Sequence, residues 1–345
     1  MASSGRAPAM ADVAKVAGVS HQTVSRVLNE HPSVRPETRD RVLAAIEKLG
    51  YRRNSAARAL VTRRSGTIGI VTPDSALYGP TSTLIAIEQA SREVGLFVSV
   101  ATLSSYDAET MNHVLDHFLS QGVEGIVVIA PQVDVAAAVE TFVSPVPVVL
   151  VADASAVGAG VVRTIGVDQY AGARLATEHL LELGHRRIVH VAGPTDWFDA
   201  RARTEGWRDA LGAAGVSPEG LLVQGDWSSA CGYDVGRRLT EDLAGREATT
   251  AVFAGNDQLA LGMLHAFWEQ GVSVPGQISV VGFDDIEGSR YFAPSLTTVR
   301  QPFATLGRAC LDLLMAGPAL AEPAPVSVAA IAPELVVRES TARVG

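Results

Sequence analysis

The sequence predicts an α/β protein: an N-terminal three-helix headpiece followed by a two-lobed core built on parallel sheets. Three observations carry this expectation. Residues 12–29 read as two short amphipathic helices joined by a tight turn. Charge is divided along the chain, with 12 Lys and Arg against 5 Asp and Glu in residues 1–64, a net of +7 in a chain whose total is −9. Beyond residue 65, short β-branched runs alternate with helical stretches.

In the headpiece, Val13, Val16 and Ala17 follow the i, i+3, i+4 spacing of one helix face. Gly18 suits the positive φ of a sharp helix exit, and Ser20 suits the N-cap of a second helix. Val24, Val27 and Leu28 repeat the apolar spacing, which leaves His21, Gln22, Ser25 and Arg26 on the other face. Gln pairs with the adenine edge and Arg with guanine O6 and N7, so a helix-turn-helix that enters the major groove is predicted. A third helix is expected from Pro36, a good first helical residue, to Gly50, a good terminator, with Val42, Ile46 and Leu49 closing the core. The segment Asn54–Leu60 is alanine-rich, with an Asn cap, and too short to hold a helix alone in water. It would fold on DNA, with Leu60 as a minor-groove wedge. The basic arm on an acidic body concentrates attraction to phosphate at one end.

The body is long enough for two lobes. Strands are expected at 67–71, 96–101, 125–130, 146–151, 187–191, 221–223, 250–254 and 277–281. Ligands in such folds bind beyond the carboxyl ends of the strands. The polar residues there are Asp74, Asp153, Asp168, Asp226, Asn256, Asp257, Asp284 and Asp285. Asp168, Asp257 and Asp285 read more readily as caps of the next helix or turn than as ligands. Arg201 and Arg203 are two apart, so one of them at most faces a pocket. Trp197 and Phe198 follow a strand end, whereas Trp207, His179 and His185 read as structural. No run is long enough to span a membrane, and residues 1–9 lack the apolar core of a signal peptide, so a cytoplasmic location is expected. Cys231 and Cys310 lack metal-type spacing, and no metal or cofactor is expected.

Residues 10–60 resemble the headpiece of the LacI/GalR (lactose/galactose repressor) family of bacterial transcription regulators. The likeness rests on Asp12-Val13-Ala14, Ala17-Gly18-Val19-Ser20, Thr23 to Asn29, Thr38-Arg39, Leu49-Gly50-Tyr51 and Asn54 to Leu60. Ala9 stands where relatives often carry a capping Thr, so a weakly capped first helix is expected. The body is similar to the family's core through Leu77 to Pro80, Ala192-Gly193-Pro194, Gly225 to Ser228, Asn256 to Gly262 and Gly282-Phe283-Asp284-Asp285.

The resemblance implies a headpiece over 10–53, a hinge and linker over 54–64, and a core over 65–345. In that core one lobe spans about 65–165 and 299–323, the other about 166–297 and 324–340. It implies DNA contacts from Ser20, His21, Gln22, Ser25, Arg26, Asn29, Asn54, Ala57 and Leu60. Effector contacts are implied for Leu77, Pro80, Arg203, Trp227, Asn256, Asp284, Gln301 and Phe303. Carboxylate, guanidinium and amide groups suit paired sugar hydroxyls, and an aromatic wall suits a sugar's C–H face. The implied function is a repressor, DNA-binding and nucleoid-associated, whose affinity for a near-palindromic double-stranded operator is set by a galactoside-like sugar. A purine or another co-repressor is the alternative effector. No C-terminal leucine heptad is seen, so a homodimer is expected. The competing classes are a glycosidase-like enzyme using strand-end carboxylates and a cytosolic sugar-binding protein. No nucleophile elbow, phosphate loop or metal motif supports an enzyme.

Overall fold

The computed structural model describes residues 8–52, 64–103, 108–132, 135, 139, 144–153, 163–242, 248–316 and 329–344. The chain forms two compact units, Met1–Ser65 and Gly66–Gly345.

The first unit holds helices α1 (Met10–Ala17), α2 (His21–Leu28) and α3 (Pro36–Leu49). Gly18 ends α1 at φ 64° and Gly50 ends α3 at φ 60°. Ser20 Oγ accepts the Thr23 amide at 3.1 Å and so caps α2. Ala9 offers no side-chain acceptor to α1, but Asp12 reaches back to accept the Ala9 amide at 2.8 Å, which restores half of a capping box. Val13, Ala14, Ala17, Val24, Val27, Val42, Ala45 and Tyr51 form the core. Val16, expected on the inner face, is 46% exposed. Residues on a helix turn by about 100° each, so Val13, Ala17 and Ala14 make a stripe that Val16 lies outside. Three short helices do not wrap far enough to cover it.

The second unit contains two six-stranded sheets. The first has the order β11-β5-β4-β3-β1-β2, where β1 is Thr67–Pro73, β2 Phe97–Leu103, β3 Ile126–Ile129, β4 Val148–Val151, β5 Arg163–Val167 and β11 Ala329–Ile331. The second has the order β12-β10-β9-β8-β6-β7, where β6 is Ile188–Ala192, β7 Leu222–Gln224, β8 Ala251–Ala254, β9 Ser279–Asp284, β10 Thr297–Arg300 and β12 Glu334–Val336. Every pairing is parallel except β10 with β12. The central strands β3, β6, β8 and β9 are buried throughout, as befits sheets covered on both faces. Helices α4 (Tyr78–Glu93), α5 (Ala108–Ser120) and α10 (Phe303–Met315) accompany the first sheet. Helices α6 (Gln169–Glu182), α7 (Phe198–Ala213), α8 (Ser229–Asp242) and α9 (Asp257–Glu269) accompany the second.

The eight strands expected from the apolar runs all form, each shifted by a few residues at most. The lobe boundaries differ from expectation. The chain crosses to the second lobe after Val167, because β5 pairs with β4 through Val151 and Ile165. It returns at Gln301-Pro302, because Val299 and Arg300 still pair with β9. The last crossing is at Ala332-Pro333 rather than near Ala324, because Ala330 pairs with Gly166 in the first sheet. The assignment of 324–340 to the second lobe therefore holds only beyond Pro333, and Thr297–Arg300 belongs wholly to that lobe.

Helices α8 and α9 approach so closely that Gly232 faces the Leu259 backbone and Gly262 faces Ser229 and Tyr233. A Cβ at either position would clash with main chain, so the two helices are locked together.

In the headpiece, Val24 is fully buried between short helices that cannot collapse around a cavity. Val24→Ala should cost about 2 kcal/mol and lower the headpiece melting transition, read by circular dichroism on the full chain. An unchanged transition would contradict this packing.

Candidate functional site

Two sites are considered, one in each unit. In the headpiece, the α2 surface away from the core presents His21, Gln22 and Arg26 as exposed residues and Ser25 as half-buried. Val24 and Val27 anchor the opposite face. The Ser20 hydroxyl is engaged as the cap and also lies 2.9 Å from Thr23 Oγ1, and Asn29 forms the exposed C-terminal end. The sequence pattern therefore produces a short helix whose outer face carries donors and acceptors suited to base edges. Asn54, Ala57 and Leu60 lie outside the described residues.

In the core, a cleft lies between the lobes at the carboxyl ends of the strands. It has two adjoining chambers that share Gly79, Pro80 and Asp199. Leu77, Pro80, Arg203, Trp227, Asn256 and Asp284 line the first, with Tyr78, Trp197 and Asp199. Pro80, Gln301 and Phe303 line the second, with Asp153, Asp199 and Gln169. All eight residues implied as effector contacts thus converge on one cleft.

Arg203 is its centre. On α7 it is 3% exposed, with its guanidinium 3.7 Å from the Phe283 ring centroid and 5.3 Å from that of Trp227. Nε donates to Gln169 Oε1 at 3.0 Å, and Nη1 donates to the Gly255 carbonyl. Nη2 stands 3.8 Å from both Asp199 and Asp284. Gln169 Nε2 donates to Gln301 Oε1 at 3.0 Å, and Gln301 Nε2 donates to Asp284 Oδ1 at 2.7 Å. A relay of Arg203, Gln169, Gln301 and Asp284 therefore joins two crossovers to two strand ends. Arg201, two residues earlier, is exposed and donates to the Thr195 carbonyl.

Asn256 caps α9 by accepting the Leu259 amide at 2.8 Å and donates to the Trp227 carbonyl at 3.1 Å. Trp227 has φ 73° and makes an edge contact with Trp197 at 6.0 Å. Its ring lies over Gly193, where a Cβ would fall within the indole. Its Nε1 is buried without an acceptor among the described residues. Tyr78 meets Phe303 edge-on at 5.8 Å on the first-lobe side.

The carboxylates divide by environment. Burial pushes Asp284 up to about 6, against the pull of Arg203 and the Gln301 hydrogen bond. Burial also raises Asp199 to about 6 despite Arg203, although 26% of its side chain still faces the cleft, so solvent screens part of that effect. Burial and the nearby Asp284 raise Asp257, which accepts from Thr298 Oγ1 at 2.5 Å and from the Ile286 amide at 2.9 Å. Asp285 is held below the ordinary range: its burial is outweighed by hydrogen bonds from Arg338, Arg300 and Ser289. Asp284 and Asp285 both have positive φ, at 116° and 52°. The ion pairs from Arg300 at 2.7 Å and Arg338 at 2.6 Å pin the second of this strained pair.

Asp168 caps α6 through the Ala171 amide at 2.8 Å, as expected. Asp257 does not cap α9, because Asn256 does; its carboxylate instead ties β10 to the turn after β9. His185 bridges Thr250 and the C-terminal segment at Ala342, and His179 meets Thr341, so both are structural. Trp207 is core, with Nε1 bonded to the Ile188 carbonyl, and Phe198 is buried in the first lobe's core. Gln169, Tyr78 and Asp199 were missed as cleft residues. Only the i, i+4 spacing of Asp199 to Arg203 could have flagged one of them.

Residues 9–54 match the model for bacterial regulatory proteins of the lacI family, and 177–341 match that of a periplasmic binding protein-like domain. The Lactose operon repressor of Escherichia coli strain K12 is 36% identical over 308 residues, covering 88% of this chain and 83% of its own. The chain belongs to the lacI family of bacterial regulatory proteins. Catabolite control protein A of Priestia megaterium is 32% identical over 88% of this lacI-family chain and 90% of its own. A crystal structure of the lac repressor dimer bound to operator and the anti-inducer ONPF superposes with a TM-score of 0.84 at 32% identity, covering 98% and 100% of the two chains. This family member is a transcription regulator, not an enzyme. Among the described residues no helix is long and apolar enough to cross a membrane.

Asp284 offers a test of the electrostatics. A folded value near 6, above the ordinary 3.8, means that the folded state holds this proton more tightly. The group therefore favours folding below pH 3.8, and that advantage is lost as pH rises through 6. Asp284→Asn keeps an acceptor for Gln301 and removes the charge. Its melting temperature relative to the parent should be higher at pH 8 than at pH 4.5. An equal difference at both pH values would show that burial does not perturb this carboxyl.

Proposed function

We propose that this repressor reads a near-palindromic operator through α2 and is released from it by a small neutral sugar bound between the core lobes, a galactoside being the favoured class. The observation that carries the effector half is the relay of Arg203, Gln169, Gln301 and Asp284 beside Trp227. Planar two-ended groups and an aromatic wall meet in a cleft between the lobes. The names of the relatives point the same way: a lactose operon repressor, a ribose operon repressor and a transcriptional regulator CelR–cellobiose complex.

In this reading Arg203, Asn256 and Asp284 hold hydroxyls, Trp227 covers the C–H face, and Leu77, Pro80, Gln301 and Phe303 shape the pocket. Ser20, His21, Gln22, Ser25, Arg26 and Asn29 meet the major groove. Asn54, Ala57 and Leu60 meet the minor groove. The protein works as a homodimer whose two-fold symmetry is mirrored in the site. It works in the cytoplasm, at the nucleoid. The domains are a headpiece over 10–53, a hinge over 54–64 and a core over 65–345. Linkage requires that operator binding weaken sugar binding by the same factor by which the sugar weakens operator binding.

The test is selection of an operator from a random duplex pool at fixed salt, followed by titration with galactosides, other sugars and purines. Release by a galactoside supports the inducer reading. Tighter binding with any ligand reverses the regulatory sign, and failure to enrich any duplex removes the DNA reading. Arg26→Ala should flatten preference at one base position by about 1–3 kcal/mol. Leu60→Ala should weaken operator affinity and leave sugar affinity unchanged; retained operator affinity would reject the wedge.

A further inference from the structure

The charges of the cleft bear on which sugars it refuses. Arg203 is the one cation among the described residues that line either chamber. Nε donates to Gln169, Nη1 donates to Gly255, its face lies on Phe283, and Nη2, left to meet a hydroxyl, stands 3.8 Å from both Asp199 and Asp284. Facing it are three carboxylates, Asp199 and Asp284 in the first chamber and Asp153 with Asp199 in the second. In sequence, the stretches 104–107, 133–143, 154–162 and 317–328 contain no Lys, Arg or His. The starts of α4, α7 and α10 reach the cleft without side-chain caps and offer about half a positive charge each. Even with all three, the balance remains negative.

Asp199 has a distinct position in this set. Asp284 gives Oδ1 to Gln301, whereas Asp199 accepts no hydrogen bond among the described residues, lines both chambers and leaves 26% of its side chain open. It is an available acceptor for a hydroxyl or an ammonium and a repulsive wall for an anion.

We infer that the cleft selects its effector by charge, taking neutral or amine-bearing sugars and rejecting sugar phosphates and uronic acids, with Asp199 as the discriminating side chain. The inference rests on the sugar reading for the class of ligand and on the carboxylate excess for its charge. A like charge about 5 Å from a carboxylate that accepts no hydrogen bond, in a partly shielded site, weakens binding by about a hundredfold.

The test has two arms on the full chain. The first needs no effector. Trp268 is 73% exposed, whereas Trp207 and Trp227 are buried, so in a Trp268→Phe background the quenchable fluorescence comes chiefly from the half-buried cleft residue Trp197. Caesium, acrylamide and iodide are compared, each normalised to free N-acetyltryptophanamide. Caesium should quench more than iodide, and Asp199→Asn or Asp199→Ser should narrow that ratio. Iodide matching caesium in the parent overturns the inference.

The second arm is calorimetry with galactose, galactosamine, galacturonic acid and galactose 6-phosphate, and with the glucose counterparts. The anions should bind about a hundredfold more weakly than the neutral sugar, and Asp199→Asn should shrink that gap. An anionic sugar that binds as tightly as its neutral partner overturns the inference. If no sugar binds, the sugar reading fails, and the quenching ratio alone decides the charge of the cleft.

Discussion

A buried guanidinium organises the core. Taking the Arg203 charge out of water is tolerated only if its donors and its charge are met inside the protein. Meeting them draws on Gln169 just after the first crossing, Gly255 at the end of β8, Asp284 at the end of β9 and Asp199 one turn earlier on α7. Through Gln169 the same charge reaches Gln301 in the second crossing. Two of the three chain crossings are therefore tied to one side chain. The groups that stabilise this charge are also those that face the cleft, so the stability of the core and the shape of its pocket are not separable properties.

The parts legible in the sequence are those set by near neighbours. Ser20, Gly18, Pro36 and Gly50 mark helix ends because capping and left-handed exits act within four residues. The apolar runs mark the strands because a parallel sheet buries both faces of its central strands. What was not legible depends on pairings distant in sequence. Ala329–Ile331 belongs to the first sheet only through its partner Ile165–Val167, and no local pattern reports that register. Gln169 looks like an ordinary first residue of a helix, yet it bonds Gln301, 132 residues further on, and joins it to Arg203. Asp257 and Asn256 are adjacent polar residues at a strand end, and the capping role falls to Asn256 because the helix starts at Asp257, whose carboxylate meets Thr298.

The two units solve different physical problems. The headpiece has a small core and helices of eight, eight and fourteen residues, and its outer face stays exposed for a large polyanion. The core buries long apolar strands and concentrates carboxylates where the strands end. The sequence charge follows this division, with the positive excess confined to residues 1–64. Phosphate attraction is thereby kept at one end of the chain, and the cleft chemistry is free to be acidic.

The backbone contact of α8 with α9 through Gly232 and Gly262 has an outcome for how this pocket can diversify. Trp227 lies two residues before the start of α8, and Asn256 immediately precedes α9. With the helices locked, the aromatic wall and the amide share one rigid frame and cannot drift independently as substitutions accumulate. The rim at Leu77–Pro80 opens α4 from the opposite lobe, and α4 is held in the same way, because Gly307 of α10 faces the Ala86 backbone. Each lobe thus presents its side of the pocket as a fixed frame, and new ligand preferences are cheapest to acquire by exchanging side chains such as Asp199 on those frames rather than by moving a helix.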